Sequence, residues 1–390
     1  MKVGLICFHT FSQPGGVKRH ILGLRDELKR RGIKVKIIVP RRFESENYGK
    51  DVILLGSSFR LPLAGTQGDL CINFNPFAIR EVLEKEKFDI LHFHNFGLPS
   101  ALQILETSEA MNILTFHANV EKMSFFKNFP SLVYLFNKVI LNKINGIIGV
   151  ALLNLKFFKD YKGPKAVIPN GVDLNKFKPQ GKKLKEYLDG KVNILFLGRI
   201  EERKGLIYLM RAMRILNQKY DNLRLIVVGD GPLLPECQDW AKENGVNNVV
   251  YIPTIKEEDT HLYYRTCDIY CSPAIYGESF GIVLVEAMAI GKPVVAFANE
   301  GYKGVLGGGK GEEFLARPKD YKTLAKKLEV LIKSKEKREE MGEWGKKEAK
   351  KYSWSVIADR VLNFYAFCRE KKLAKAKKAV KTAARSFKEA

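Results

Sequence analysis

Ile269-Tyr270-Cys271-Ser272, then Glu278-Ser279-Phe280-Gly281-Ile282-Val283-Leu284-Val285-Glu286-Ala287-Met288, then Pro293-Val294-Val295-Ala296-Phe297 make up one short segment of this chain. Its reading is strand, loop, helix, strand. Ser272-Pro273 and Tyr276-Gly277 break the first strand, and Gly291-Lys292-Pro293 stops the apolar helix. A helix that starts at the carboxyl end of a strand presents unpaired backbone N–H groups and the positive end of its dipole, which suits a phosphate. Glu278 stands just outside that helix and Glu286 inside it, eight residues on. Carboxylates accept hydrogen bonds from paired hydroxyls, so a polyhydroxylated ligand carrying phosphate is expected here. Taken alone, the same two residues also read as a terminal charge and a solvated side chain.

The same strand–helix alternation runs through the rest of the chain. Strands are predicted at 3–7, 35–39, 90–94, 113–116 and 146–150, with an amphipathic helix over 17–31 that carries Ile21, Leu22, Leu24 and Leu28. A second series follows at 193–197, 223–228, 249–252, 269–272 and 293–297. Alternation of this kind implies a parallel sheet covered by helices on both faces, and two series imply two doubly wound α/β domains. The 390 residues are too many for one ordinary core. A turn-rich, then basic connection, Pro169-Asn170-Gly171-Val172-Asp173 to Lys182-Lys183-Leu184-Lys185, separates the two series. Ligands of such domains lie beyond the carboxyl ends of the strands, and two domains facing one another would enclose a cleft.

Composition narrows the class. Apolar residues make up 46% and charged residues 28%, values of a soluble globular protein. No apolar run approaches membrane-spanning length, and Lys2-Val3-Gly4-Leu5-Ile6-Cys7 begins a strand with no leader pattern, so a cytoplasmic location is expected. The six cysteines are scattered. Cys267 and Cys271 sit in a strand pattern without the second pair that a zinc site needs, and all six are expected as reduced thiols. The net charge of +23 favours anionic partners. It is concentrated in residues 1–170 (+10) and in the last twenty residues (+7). In that tail Leu373, Ala376, Val380, Ala383 and Phe387 recur at helical spacing among basic residues, which fits a helix on a membrane surface or a solvated terminal helix. The aromatic run Phe125, Phe126, Phe129, Tyr134 and Phe136 reads equally as a lipid-facing or a buried helix. Clustered base-stacking aromatics are missing, so nucleic acid is not an expected partner. Oligomeric state leaves no signal in the sequence.

Four strand-to-helix loops carry suitable chemistry. Gln13-Pro14-Gly15-Gly16-Val17 follows the first strand, and its two glycines permit φ > 0 and uncover backbone N–H groups for a diphosphate or an anionic acceptor, or simply make a tight turn. It lacks the G-x-G-x-x-G spacing, and no acidic residue ends the second strand, which excludes a nicotinamide dehydrogenase. His94 and His117 end neighbouring strands, where a histidine can exchange a proton near neutral pH or be a hydrogen-bonded core residue. Two histidines with no carboxylate companion are a poor metal site, and no metal is expected. Arg199 ends a strand and Lys204 opens a helix, so two cations converge where a diphosphate leaving group needs its charge offset. Val228-Gly229-Asp230-Gly231-Pro232 turns tightly and is read as structural.

Together, Gly15-Gly16, Pro169-Asn170-Gly171-Val172-Asp173, Gly198-Arg199 with Lys204-Gly205, Gly229-Asp230-Gly231-Pro232, Glu278-x7-Glu286 and Tyr352-Ser353-Trp354 resemble the family-4 retaining glycosyltransferases of the GT-B fold, over roughly residues 1–365. Pro14-Gly15-Gly16-Val17 and the Gly277–Glu286 stretch are most similar to phosphatidyl-inositol mannosyltransferases. The resemblance implies two Rossmann-like domains facing an interdomain cleft. Residues 1–171 would form an acceptor-side domain and 172–353 a nucleotide-sugar-binding domain. A helix at 354–370 would cross back to the first, and 371–390 would be a basic tail. It implies transfer of a hexose from a nucleotide diphosphate sugar of the GDP-mannose kind, with no metal, to an acceptor such as an anionic membrane lipid at the inner face of the membrane. Soluble-acceptor sugar transfer, and a GT-B shell that binds nucleotide sugar or anionic surfaces without catalysis, are the alternatives.

The roles it implies are specific. Arg199 and Lys204 would hold the diphosphate, and the backbone of Ser279, Phe280, Gly281, Ile282 and Val283 would cap the distal phosphate. Glu286 would bind ribose hydroxyls and Glu278 sugar hydroxyls. Ile255 and Glu257 would lie near the base, Gly16 against the donor, and His117 beside the sugar carbon under attack. His9, Gly15 and Lys18 would face the acceptor. His9 stands where members acting on phosphatidyl-inositol have an aromatic residue and Lys18 where they have glutamine, and 80–87 carries no net charge in place of a basic helix. These departures weigh against inositol lipid as the acceptor.

Overall fold

A computed structural model describes residues 1–12, 15–63, 66–73, 75–96, 100–118 and 139–389. The aromatic run from Phe125 to Phe136, together with Gln13 and Pro14, lies outside the described residues. The chain divides into two units, Met1–Pro169 with Trp354–Ala390, and Asn170–Ser353. The expected boundary fell two residues later, after 171. The turn at 170–173 goes with the second unit because Val172 N–H donates to Tyr352 O at 2.8 Å and Val172 bridges to Ser353, which ties both ends of that unit together.

In the first unit the strands are β1 (Lys2–Cys7), β2 (Lys34–Arg41), β3 (Val52–Leu63), β4 (Thr66–Ile72), β5 (Ile90–His94), β6 (Met111–Phe116), β7 (Gly146–Gly149) and β8 (Lys165–Val167). Their order across the sheet is β4-β3-β2-β1-β5-β6-β7-β8. All neighbours are parallel except β3 and β4, an antiparallel pair. That pair was not predicted, since Gly56 and Pro62 interrupt its pattern. Gly56 takes φ +80 where the β2–β3 register shifts between Val39 and Arg41, as a bulge requires. Alternate residues of β1 and β5 feed opposite faces. Val3, Leu5, Cys7 and Ile90 pack with Ile21, Leu24 and Leu28 of the Gly16–Arg30 helix and with Ile357, Val361 and Tyr365. Ile6, Phe8, Leu91 and Phe93 pack on the other side with Ile104, Leu114 and Phe158.

The Trp354–Glu389 helix belongs to this first unit. Its indole sits where a Cβ on Gly23 would lie 2.1 Å from Trp354 Cε2, so only glycine admits that crossing. Arg31 pairs with Asp359 and donates to Ser355 O at 2.8 Å. The tail therefore continues a docked helix instead of starting a separate segment. Among the described residues no helix is long and apolar enough to cross a membrane.

The second unit holds β9 (Val192–Leu197), β10 (Leu223–Val228), β11 (Val249–Ile252), β12 (Ile269–Ser272), β13 (Val294–Phe297) and β14 (Leu315–Ala316), all parallel, in the order β11-β10-β9-β12-β13-β14. Ile194, Leu225, Val295, Leu209, Met213, Leu324 and Leu328 make its core. Each sheet reverses its strand order once, between β1 and β5 and between β9 and β12. The carboxyl ends of those strands are where an open α/β sheet leaves a crevice.

Candidate functional site

At the second unit's reversal, β9 runs out through Gly198-Arg199 into the short turn Glu202–Lys204, and β12 into the loop that carries Glu278. The two loops are fastened together. Ile275 N–H donates to Arg203 O at 2.7 Å. Gly205, at φ +69, would place a Cβ 2.2 Å from Pro273 O, so a side chain there would part them. The Glu278 carboxylate consequently meets two cations at one oxygen: Lys204 Nζ at 2.6 Å and Arg203 Nη1 at 2.9 Å. Arg203 also reaches Glu201 with its Nε, at 2.6 Å. Burial pushes the Glu278 carboxyl up, but the Lys204 and Arg203 charges outweigh it and hold it below the usual carboxylate range.

The convergence read from the sequence is therefore partly redrawn. Lys204 is turned onto Glu278, with Arg203 as the second cation. Arg199 lies 3.8 Å from Glu201 Oε2 and is 56% exposed. Arg203 was missed because in Glu201-Glu202-Arg203-Lys204 it reads as one more charge on a solvated turn.

The Ile282–Ala289 helix starts after Gly281, whose φ of +99 and closeness to Tyr302 (a Cβ would lie 2.6 Å from Cδ1) require glycine. No side chain among the described residues caps this helix, which leaves its first N–H groups without a side-chain acceptor, the kind of helix end that suits an anion. Phe280 is buried with its ring against Tyr352, at 5.3 Å, while Ser279, Ile282 and Val283 are half-buried. Glu286 does not share Glu278's surroundings. It is 2% exposed, and Tyr264 Oη donates to its Oε2 at 3.1 Å. Glu286 was expected to face a ligand directly, and Tyr264 is a partner that sequence reading did not find. Tyr302 Oη and Ser272 Oγ bond at 2.7 Å in the same layer. Beyond β11, Ile255 is half-buried, and the Glu257 carbonyl accepts from Lys176 Nζ at 2.7 Å. Gly229, at φ +134, would bring a Cβ 2.0 Å from Gly198 O, a close approach of two strand ends that accords with a structural role.

The first unit's reversal carries the remaining residues. Gly15 and Gly16 head the Gly16–Arg30 helix, but neither is in the left-handed region. Gly15 is extended, and a Cβ on either would meet nothing within 4 Å. The glycines uncover the helix start without using the left-handed freedom that the sequence permits. His9 is half-buried, and Lys18 folds back to donate to Phe11 O at 2.6 Å.

His94 and His117 do come together. His94 Nδ1 lies 3.1 Å from His117 Nε2, and Asn95, in a left-handed conformation, accepts the His117 backbone N–H at 2.7 Å. Burial and the neighbouring imidazoles hold His94 well below the usual histidine range. Two further histidines join them. His20 comes from the first helix and His92 from two residues earlier in β5, stacked on His94 with ring centres 4.4 Å apart. The period-2 pattern His92-Phe93-His94 signals one shared face, whereas nothing local points to His20.

Two family descriptions match this sequence: Glycosyltransferase Family 4 over residues 14–176, and Glycosyl transferases group 1 over 178–348. The phosphatidyl-myo-inositol mannosyltransferase of Mycobacterium leprae is 32% identical over 372 residues, 94% of this chain and 96% of the relative. The alpha-monoglucosyldiacylglycerol synthase of Streptococcus pneumoniae is 28% identical, over 77% of this chain and 71% of its own. Among solved structures, sucrose-phosphate synthase from Thermosynechococcus elongatus superposes with a TM-score of 0.73 at 18% identity, covering 96% of this chain and 99% of that one, a likeness of fold. With near full-length identity above 30% and both halves matched in order, the chain belongs to the family-4 glycosyltransferases of the GT-B fold.

Proposed function

We propose that this glycosyltransferase moves a hexose, of the mannose or glucose type, from a nucleotide diphosphate sugar to a membrane lipid, with retention at the anomeric carbon. The observation that carries the donor reading is the Lys204–Glu278–Arg203 cluster beside the uncapped helix start at Gly281. A diphosphate laid on those N–H groups has Lys204 and the exposed Arg199 to offset its charge, with no metal required. Glu278, kept ionised, would accept hydrogen bonds from sugar hydroxyls, and Glu286 from the ribose. Ile255 and Glu257 would lie toward the base, and the family resemblance gives Gly16 and His117 to the donor as well. The acceptor oxygen would bond to the anomeric carbon on the face from which the diphosphate leaves, and the departing phosphate oxygen would take its proton. Positioning and charge stabilisation are then what the protein contributes.

The lipid acceptor is supported by the names of the two relatives, both of which act on or make glycosylated lipids, and by the basic charge of the chain. Peripheral attachment at the inner face of the membrane follows from that reading. His9, Gly15 and Lys18 would meet the acceptor, and the departures at His9 and Lys18 favour a headgroup other than inositol.

The test is a screen of nucleotide sugars for turnover, with the product's anomeric configuration read by NMR. Lys204→Ala and Glu286→Ala should each cost about a hundredfold in kcat/KM for the donor, roughly 3 kcal/mol for removing a buried charged partner. Near-normal turnover by both variants sinks the site assignment, and an inverted product sinks the same-face mechanism. Turnover that vanishes in EDTA and returns with magnesium would count against diphosphate stabilisation by the protein's own cations.

A further inference from the structure

Four of the chain's six histidines, His20, His92, His94 and His117, lie in one patch at the carboxyl ends of β5 and β6. Three of them, His20, His94 and His117, each offer a ring nitrogen within 4.8 Å of the others. Bonds of about 2.0–2.1 Å from a tetrahedral zinc to imidazole put the ring nitrogens about 3.4 Å and the ring centres roughly 5 Å apart. Here the three ring centres stand 5.2, 4.8 and 5.4 Å from one another, and His94 Nδ1 is 3.1 Å from His117 Nε2. Ring rotations that close the remaining gap by about 1–1.5 Å bring the set to that geometry.

The surroundings fit as well. His94 is fully buried and its Nε2 has no hydrogen-bond partner among the described residues, a buried ring nitrogen whose lone pair a ring flip would turn onto a bound cation. His92 is spoken for and stays outside the ligand set. Its Nδ1 bonds Tyr365 Oη and its Nε2 bonds Thr115 Oγ1, both at 2.6 Å, so it buttresses His94 from behind. Trp354 walls off His20, with ring centres 5.3 Å apart. His117 is half-buried and is the least enclosed of the three.

We propose that His20, His94 and His117 form a binding site for a borderline divalent cation of the zinc class, with the fourth coordination position open on the His117 side. An all-imidazole set of neutral nitrogens selects zinc, copper or cobalt(II) and rejects magnesium and calcium, which require oxygen ligands. The sequence displayed only the pair His94 and His117. The third ligand arrives from the first helix, which folding lays across the end of β5. One consequence rests on the role given above to His117: an ion here ties up its ring, so micromolar zinc should inhibit transfer reversibly.

The test reads metal binding itself. Untagged full-length protein is titrated with Co²⁺, and one equivalent should produce the intense visible absorption of a four-coordinate nitrogen site. Zn²⁺ should abolish the absorption by displacement, and excess Mg²⁺ should leave it unchanged. His20→Asn and His117→Asn should each lower Co²⁺ affinity at least tenfold, while His261→Asn should not. Should His20→Asn fail to fold by circular dichroism, His117→Asn, at the least enclosed of the three positions, carries the comparison. No absorption at one equivalent, or equal binding by wild type and His117→Asn, overturns the site. Because no substrate is involved, that failure is distinct from a failure of the transferase reading.

Discussion

Glu278 shows how residue-scale chemistry is set by neighbours. A glutamate at a loop end is ordinarily a solvated charge, but here the side chain is only 12% exposed and its Oε1 is shared by Lys204 and Arg203. The sign of its pH effect follows. Its folded-state pKa lies below the ordinary 4.5, so the charged form contributes stability above about pH 4.5, and that contribution fades as pH falls through the lower folded value. The stability difference between wild type and Glu278→Gln, measured by urea unfolding, should therefore shrink between pH 6 and pH 3; a difference that grows on acidification contradicts the pairing. Arg203 is a positioning residue by this geometry. Arg203→Ala removes one of the two cations seen at Glu278 Oε1 among the described residues, and kcat should drop about tenfold with donor affinity little changed, as for loss of one charge-assisted hydrogen bond. An unchanged kcat would place Arg203 outside the site. Glu286 and Tyr264 are the parallel case. Glu286 lies in an apolar helix and Tyr264 in a mixed one 22 residues earlier, and only their packing reveals the bond between them.

Among the elements, the Ile282–Ala289 helix and its glycine matter most. Gly281 meets two demands at once, φ +99 and the ring of Tyr302 against its Cα. Gly281→Ala must pay a left-handed backbone cost of about 1–2 kcal/mol and displace Tyr302 besides. A fall of about 2 kcal/mol or more in urea-derived stability is expected, and a neutral result would show that this turn relaxes. The helices that cross at Gly23 make a second check. A Cβ there runs into the Trp354 indole, so Gly23→Ala should cost about 1–3 kcal/mol by overpacking, read as a lower Tm. Strand and helix elements with strong periodicity were legible from the sequence, and Ile90–His94 and Ile269–Ser272 match residue for residue. The missed β3–β4 pair contains Gly56 and Pro62, which local rules read as breaks although a bulge and an antiparallel partner accommodate them.

At the scale of the whole molecule, net charge of +23 and a docked C-terminal helix that continues into a basic stretch are what would meet an anionic surface. Removing residues 371–390 should reduce co-sedimentation with anionic vesicles, and more so at low salt, because exposed charge is screened beyond about 10 Å at 0.1 M. Equal binding by both forms takes the tail out of the lipid reading. By itself the sequence determined two α/β series, the loops at their strand ends, and the residue types that belong to a family-4 glycosyltransferase. These are set by neighbours two to four positions apart and by breakers, which a linear pattern records. Tertiary structure alone decided which strands adjoin, and hence that β1 meets β5 and β9 meets β12. It also decided that Arg203 reaches Glu278 across 75 residues, that Tyr365 reaches His92 across 273, and that His20 completes a histidine cluster. Those contacts depend on how apolar faces pack across the sheet, and no spacing along the chain encodes them.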